Sequence, residues 1–145
     1  MKTREERVTA AIARAPCDRS RVLIVDDDTA VRQVFQRVLA FFLPDIKADL
    51  AEDGAQAVQA FEHQHQGVVL LDLWMPVMDG VTAFRRIRQV CGEHNWELPR
   101  FVFCSGFAPP RILPQLLALN PGSCFLQKPV ANDALIAVLR TRQAA

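Results

Sequence analysis

A chain of 145 residues fits one domain, and with half of its residues apolar it can bury a proper core. A formal net charge of +1 gives no global attraction to nucleic acid or to an anionic membrane, so neither is expected as a direct partner. No apolar run approaches the ~20 residues of a membrane span and no N-terminal apolar block resembles a signal peptide, so a cytoplasmic location is expected.

The charge is uneven. Residues 1 to 21 carry Lys2, Arg4, Arg7, Arg14, Arg19 and Arg21 against Glu5, Glu6 and Asp18. Residues 1–19 therefore read as a basic N-terminal extension, flexible or partly helical, ahead of a domain over residues 20–143. From there apolar strands alternate with amphipathic helices. "RVLIV" (21–25) is a buried strand, and "TAVRQVFQRVLAFFL" places Val31, Val34, Phe35, Val38, Leu39 and Phe42 on one helical face, stopped by Pro44. "IKADLAED" alternates and reads as an edge strand. "GAQAVQAFEHQHQ" is a helix with Ala55, Val58 and Phe61 inward. "VVLLD" is a central strand, followed by "GVTAFRRIRQV", a helix carrying Val81, Phe84, Ile87 and Val90.

"CGEHNWELPR" reads as a long loop whose Trp96 either plugs the sheet edge or meets a partner. "RFVFCS" is the fourth strand and "CFLQK" the fifth, with a short helix between them over 114–119, delayed by prolines. Its stretch "RILPQLLALN" holds more apolar residues than one buried face needs, which fits either a partner or homodimer surface or a deeply sunk helix. "VANDALIAVLRTRQ" is the closing helix. The cysteines (Cys17, Cys91, Cys104, Cys124) form no CxxC pair and read as reduced, packed thiols. His63 and His65 read as ordinary surface histidines.

Strict alternation implies an α/β fold, a doubly wound five-stranded parallel sheet with right-handed crossovers. Ligands of such sheets bind beyond the carboxyl ends of the strands, which places Asp26, Asp27, Asp28, Asp72, Ser105 and Lys128 on one rim. Clustered carboxylates repel one another and suit a hard divalent cation, Mg²⁺ or Mn²⁺. A cation with open positions can bridge a carboxylate and a phosphoryl oxygen, while a hydroxyl and a lysine hold the other phosphoryl oxygens. An aspartate in that setting can act as nucleophile and become an acyl phosphate.

"VLIVDDD", "LLDLWMPVMDG", "FVFCS" and "FLQKP", in that order, resemble the signature segments of response-regulator receiver domains, the CheY-like domains of two-component signalling. The likeness covers about residues 20–142, and the D-x-x-M-P-x-x-D-G segment and the Lys-Pro pair are its specific parts. It implies a flavodoxin-like (βα)5 sheet with strand order 2-1-3-4-5. It implies that Asp72 accepts a phosphoryl group from a histidine kinase or phosphotransfer protein, with Asp27 a direct Mg²⁺ ligand, Asp26 helping through water and the Trp74 backbone carbonyl completing the ligands. Ser105 matches the switch hydroxyl, Lys128 the phosphate-contacting lysine and Pro129 a cis-proline. Phe125 stands in the place of the second switch residue, without the hydroxyl often found there.

The resemblance further implies a protein that catalyses only its own phosphorylation and dephosphorylation, not an enzyme acting on others. Phosphorylation is expected to change the face of the fourth helix, fifth strand and fifth helix, so that a downstream protein binds there. The outer side of the first helix (Arg32, Gln33, Gln36, Arg37) is the expected kinase-docking surface. Trp74 and Phe107 each stand two residues after a site residue, where a large apolar group can slow hydrolysis of the acyl phosphate. Two rival readings remain: a haloacid-dehalogenase-like phosphatase with Asp26 as nucleophile and Asp28 as acid/base, and a receiver-like interaction module that takes no phosphate. The chain ends shortly after Arg142, so output through protein contacts is expected.

Overall fold

The apolar runs form the strands, because a sheet covered on both faces needs apolar residues at every position rather than at alternate ones. In the computed structural model, which describes residues 13–144 and side chains through Thr141, the strands are β1 (Asp18–Val25), β2 (Lys47–Ala51), β3 (Gln66–Asp72), β4 (Arg100–Ser105) and β5 (Cys124–Gln127). All pair in parallel, in the order β2-β1-β3-β4-β5. The helices are α1 (Thr29–Phe42), α2 (Gly54–Gln64), α3 (Gly80–His94), α4 (Leu113–Leu119) and α5 (Asn132–Ala144). This is the flavodoxin-like (βα)5 arrangement. Three helices are started by aspartates, Asp28, Asp53 and Asp79, whose carboxylates accept the first free backbone N–H groups.

Alternate strand residues feed two cores. Leu23, Val25, Val69, Leu71, Phe101 and Phe103 pack under α2, α3 and α4. Val22, Ile24, Val68, Leu70, Val102 and Cys104 pack under α1 and α5. Two glycines set the helices close to the loops at the rim. A Cβ on Gly80 would lie 2.3 Å from the Asp72 carbonyl oxygen, and one on Gly54 2.5 Å from that of Met78.

Several expectations need correction. Along α1 only Phe35, Val38 and Leu39 are buried, while Val34 and Phe42 are exposed, because the helix covers the sheet with a narrow stripe. In α2 Ala57 is buried more deeply than Ala55. Helix α3 runs on to His94, which shortens the loop after it, and α4 starts at Leu113 with Pro114 in its first turn. Of the apolar surplus there, Leu113 and Leu116 are buried, Ile112 and Leu117 pack half-buried on the first core, and Leu119 is exposed.

Residues ahead of 20 also pack on the domain. The Ala15 backbone N–H donates to the Asn95 carbonyl at 3.1 Å and the Glu97 N–H donates to the Ala15 carbonyl at 2.8 Å. Cys17 is buried behind them, and residues 1–12 of the basic extension lie outside the described residues. His65 is no ordinary surface histidine: half-buried, it stacks on Trp96 (centroids 4.4 Å apart), and Trp96 closes that end of the sheet. All four cysteines are free thiols. Among the described residues no helix is long and apolar enough to cross a membrane.

Candidate functional site

Strand β1 ends at Val25 and delivers Asp26 into the interior, where its residue is 1% exposed. The Asp26 backbone N–H donates to the Ala51 carbonyl of neighbouring β2, and the Asp28 N–H donates to Asp26 Oδ1 at 2.9 Å. Strand β3 ends at Asp72 itself, 5% exposed, whose Oδ1 accepts the Trp74 backbone N–H at 3.1 Å. Asp27 lies outward, exposed. One carboxylate oxygen each from Asp26, Asp27 and Asp72 lie within 4.8 Å of one another.

Lys128, following β5, reaches over the sheet edge to both buried acids. Its Nζ donates to Asp26 Oδ2 at 2.5 Å and to Asp72 Oδ2 at 3.2 Å. The Lys128–Pro129 bond is cis. Burial pulls the Lys128 ammonium down, but the hydrogen bond and charge of Asp26, reinforced by Asp72, carry it above its ordinary value. Burial dominates at Asp72 and raises its carboxyl above the usual range, against the Trp74 N–H and Lys128. One lysine therefore compensates two buried carboxylates, and the site retains room for more positive charge. Three carboxylates in oxygen-donor reach fit a hard divalent cation.

Ser105 ends β4 and is fully buried; its Oγ donates to the Phe107 carbonyl at 2.9 Å and accepts the Phe107 N–H at 3.0 Å. The Ser105 carbonyl accepts the Lys128 N–H at 2.8 Å, tying the two loops together. Phe125 is half-buried on β5, in register with Phe103. Trp74 is 47% and Phe107 71% exposed. Val77, in the loop after Asp72, is exposed and has φ +68°, a left-handed conformation that costs a β-branched residue energy. A groove of about 490 Å³ beside Lys128 is lined by Val31, Val34 and Phe35 of α1 and by Gly106, Pro129 and Val130, which gives the exposed Val34 its setting.

Two residues fall elsewhere than the sequence implies. Asp28 does not join the acid cluster: its Oδ1 accepts Ala30 N–H at 2.8 Å and Val31 N–H at 3.4 Å, capping α1. With that carboxylate engaged, nothing supports the phosphatase reading. Arg32, expected on the outer docking side, is half-buried and its Nη1 donates to the Asp26 carbonyl at 2.6 Å. Its place one helical turn after the Asp28 cap was the available signal.

The chain matches the family model described as "response regulator receiver domain" over residues 22–140. The chain belongs to that family. The receiver matches chemotaxis protein CheY of Bacillus subtilis (strain 168) at 31% identity over 117 residues, 80% of this chain and 91% of the relative. It matches response regulator MprA of Mycobacterium sp. (strain KMS) at 33% over 121 residues, 83% of this chain and 49% of the relative. It thus spans about half the length of MprA. Among solved structures, Vibrio cholerae CheY4 superposes with a TM-score of 0.67 at 23% identity, covering 88% of this chain and 98% of that one. The response regulator domain of Thermotoga maritima CheB gives 0.71 at 23%, covering 86% and 96%. At such identities the structural likeness speaks for the fold.

Proposed function

We propose that this receiver is a phosphorylation-activated switch that takes a phosphoryl group from a phosphohistidine of a kinase or phosphotransfer protein onto Asp72. The reading rests chiefly on one observation: Asp72 and Asp26 are buried together under a single lysine, with Asp27 in reach. Asp26, Asp27 and Asp72, with the Trp74 carbonyl, would hold Mg²⁺ or Mn²⁺. When bound, the ion supplies positive charge to the phosphoryl oxygens. An Asp72 oxygen attacks phosphorus, the P–N bond breaks as the P–O bond forms, and the imidazole leaves with the electron pair and takes up a proton. Lys128 holds a phosphoryl oxygen, exchanging part of its contact with Asp72 for it.

The acyl phosphate then competes with the Phe107 carbonyl for the Ser105 hydroxyl. Turning Ser105 toward Asp72 frees the loop after β4, and Phe125 on the adjoining strand follows, altering the α4–β5–α5 face for a downstream protein. The groove beside Lys128 offers the phosphodonor an apolar seat next to the reacting oxygen. The chain acts on no other substrate in this reading, and its setting is the cytoplasm.

Intact mass after incubation with acetyl phosphate and Mg²⁺ tests this. The expected result is one phosphoryl adduct, lost in Asp72→Asn and present in Asp28→Asn. Retention of the adduct in Asp72→Asn overturns it, as does a full failure of both acetyl phosphate and phosphohistidine donors. In the same preparation, Trp74→Asn and Phe107→Ala are expected to shorten the acyl phosphate's life several-fold by admitting water. Unchanged decay removes both residues from that role.

A further inference from the structure

Away from the acid rim, three guanidinium groups line one open groove of about 600 Å³. Its walls are Arg14, from the segment ahead of β1, and Arg85, Arg88 and Gln89 of α3, with Glu97 and Leu98 on the far side. Two of the three arginines are held in place without a counter-ion. Arg14 Nη1 donates to the carbonyls of Trp96 at 3.1 Å and Cys91 at 3.5 Å. The Arg88 guanidinium lies over the Phe84 ring, 5.6 Å from its centroid, and its Nε is buried with no hydrogen-bond partner. Burial pushes the nearby Cys91 thiol up to about 11, while the charges of Arg14 and then Arg88 oppose the rise, so both cations bear on one point.

Of the two nearby acids, Glu97 lines the groove and Glu93 does not; both accept from neutral donors and keep their charge, so the lining carries three guanidiniums against one carboxylate. Glu97 Oε1 accepts the Cys17 backbone N–H at 3.3 Å, and Glu93 Oε1 accepts from Gln89 Nε2 at 3.0 Å. Among the described residues Arg14, Arg85 and Arg88 form no ion pair, whereas Arg21 and Lys128 do. The carbonyl end of α3 takes up part of the Arg14 charge. Arg85 and Arg88 stand earlier on the helix and have no such offset. A concave surface with three guanidiniums against one carboxylate attracts anions, and the two guanidiniums already held lose little entropy on binding.

We infer that this groove binds a ligand carrying a chain of phosphoryl groups, at a site separate from the Asp72 rim. A single carboxylate engages one guanidinium fork; linked phosphoryl groups present anionic oxygens to all three. The lining named above offers one apolar side chain, Leu98, too little to grip a lipid chain. Arg88 stands about 12 Å along α3 from Gly80, the residue packed on the Asp72 carbonyl, at ~1.5 Å rise per residue.

The full chain carrying Trp74→Phe leaves Trp96, whose carbonyl Arg14 holds, as the sole tryptophan reporter. Tripolyphosphate added in Mg²⁺-free buffer is expected to change its fluorescence saturably, and the binding is expected to weaken as salt rises. Arg85→Gln with Arg88→Gln is expected to raise Kd about tenfold while acetyl phosphate still labels Asp72, which shows the variant folded. An unchanged Kd in that variant, or no saturation in the parent, overturns the inference. So does loss of the signal in Asp72→Asn, which assigns the anion to the acid rim. Saturation seen only with Glu5→Gln and Glu6→Gln shows that the chain's own acids fill the groove. Equal competition by polyglutamate shows an acidic protein segment as its ligand; either result overturns it.

Discussion

The two ends of the sheet are built on opposite principles. At the carboxyl end, two buried carboxylates share one lysine, and a valine is held at positive φ. At the amino end, ring stacking and hydrogen bonds to backbone groups hold the segments together. His65 and His94 stack on either face of Trp96 at 4.4 and 4.6 Å, and His65 Nε2 lies 2.8 Å from the Glu97 carbonyl and 3.3 Å from Cys17 Sγ. Even the positive-φ residues differ: His65 and Asn95 close helices α2 and α3, where a left-handed residue is common, whereas Val77 closes nothing. The carboxyl end concentrates buried negative charge and a strained residue around the acid rim. The amino end ties residues 13–17, α2 and α3 together, and its arginines lie in an open groove rather than in a buried cluster.

The contrast breaks most visibly at Lys128. Lys128→Ala leaves Asp26 and Asp72 facing each other unpaired, and is expected to cost about 3 kcal/mol in Mg²⁺-free urea denaturation. In an Asp26→Asn background the same change is expected to cost clearly less, because the repulsion it uncovers is gone. Equal losses in both backgrounds mean that Lys128 stabilises through packing of its stem.

At the opposite end, Trp96→Ala removes a half-buried ring from between two imidazoles and loosens the attachment of residues 13–17. The expected loss is about 2 kcal/mol, below that of a fully buried tryptophan. The rate of Asp72 labelling by acetyl phosphate is expected to stay as in the wild type once both are folded. A slowed rate shows that the two ends are coupled.

The sequence was most informative where the fold is most constrained. Strands buried on both faces must be unbroken apolar runs, so "RVLIV", "VVLLD" and "RFVFCS" read directly, and the sheet topology then gathered Asp26, Asp72, Ser105 and Lys128 at one rim. What escaped depends on contacts between distant segments that leave no period. His65 and Trp96 are 31 residues apart and each reads as a loop or surface residue alone. Val34 and Phe42 fit the apolar stripe of α1, but what covers a stripe is not written in the helix. Arg32 reads as a surface charge and Asp28 as one more rim acid, because their partners are backbone groups, the Asp26 carbonyl and the first N–H groups of α1.

The subtlest difference between the ends lies in their response to pH. Burial raises the Asp72 carboxyl above its ordinary range, so its ionised form is less welcome in the folded state than in the unfolded one. A group raised in this way contributes stability that is fully present below its unfolded value of about 4 and is lost as pH rises through the folded value. At neutral pH the wild type therefore carries a cost that Asp72→Asn does not. Asparagine still accepts the Trp74 N–H, and Asp26 still holds Lys128. Lys128 does not disturb the comparison, since its folded value is raised: its contribution is complete below about 10.5 and fades only in alkali. In Mg²⁺-free buffer Asp72→Asn is expected to be more stable than wild type by about 1 kcal/mol at neutral pH, with the gain vanishing as both are brought below about pH 4. A variant less stable at neutral pH means that attraction to Lys128 outweighs burial, and the acid rim is then a satisfied ion pair with no charge left for a phosphoryl group or a cation to relieve.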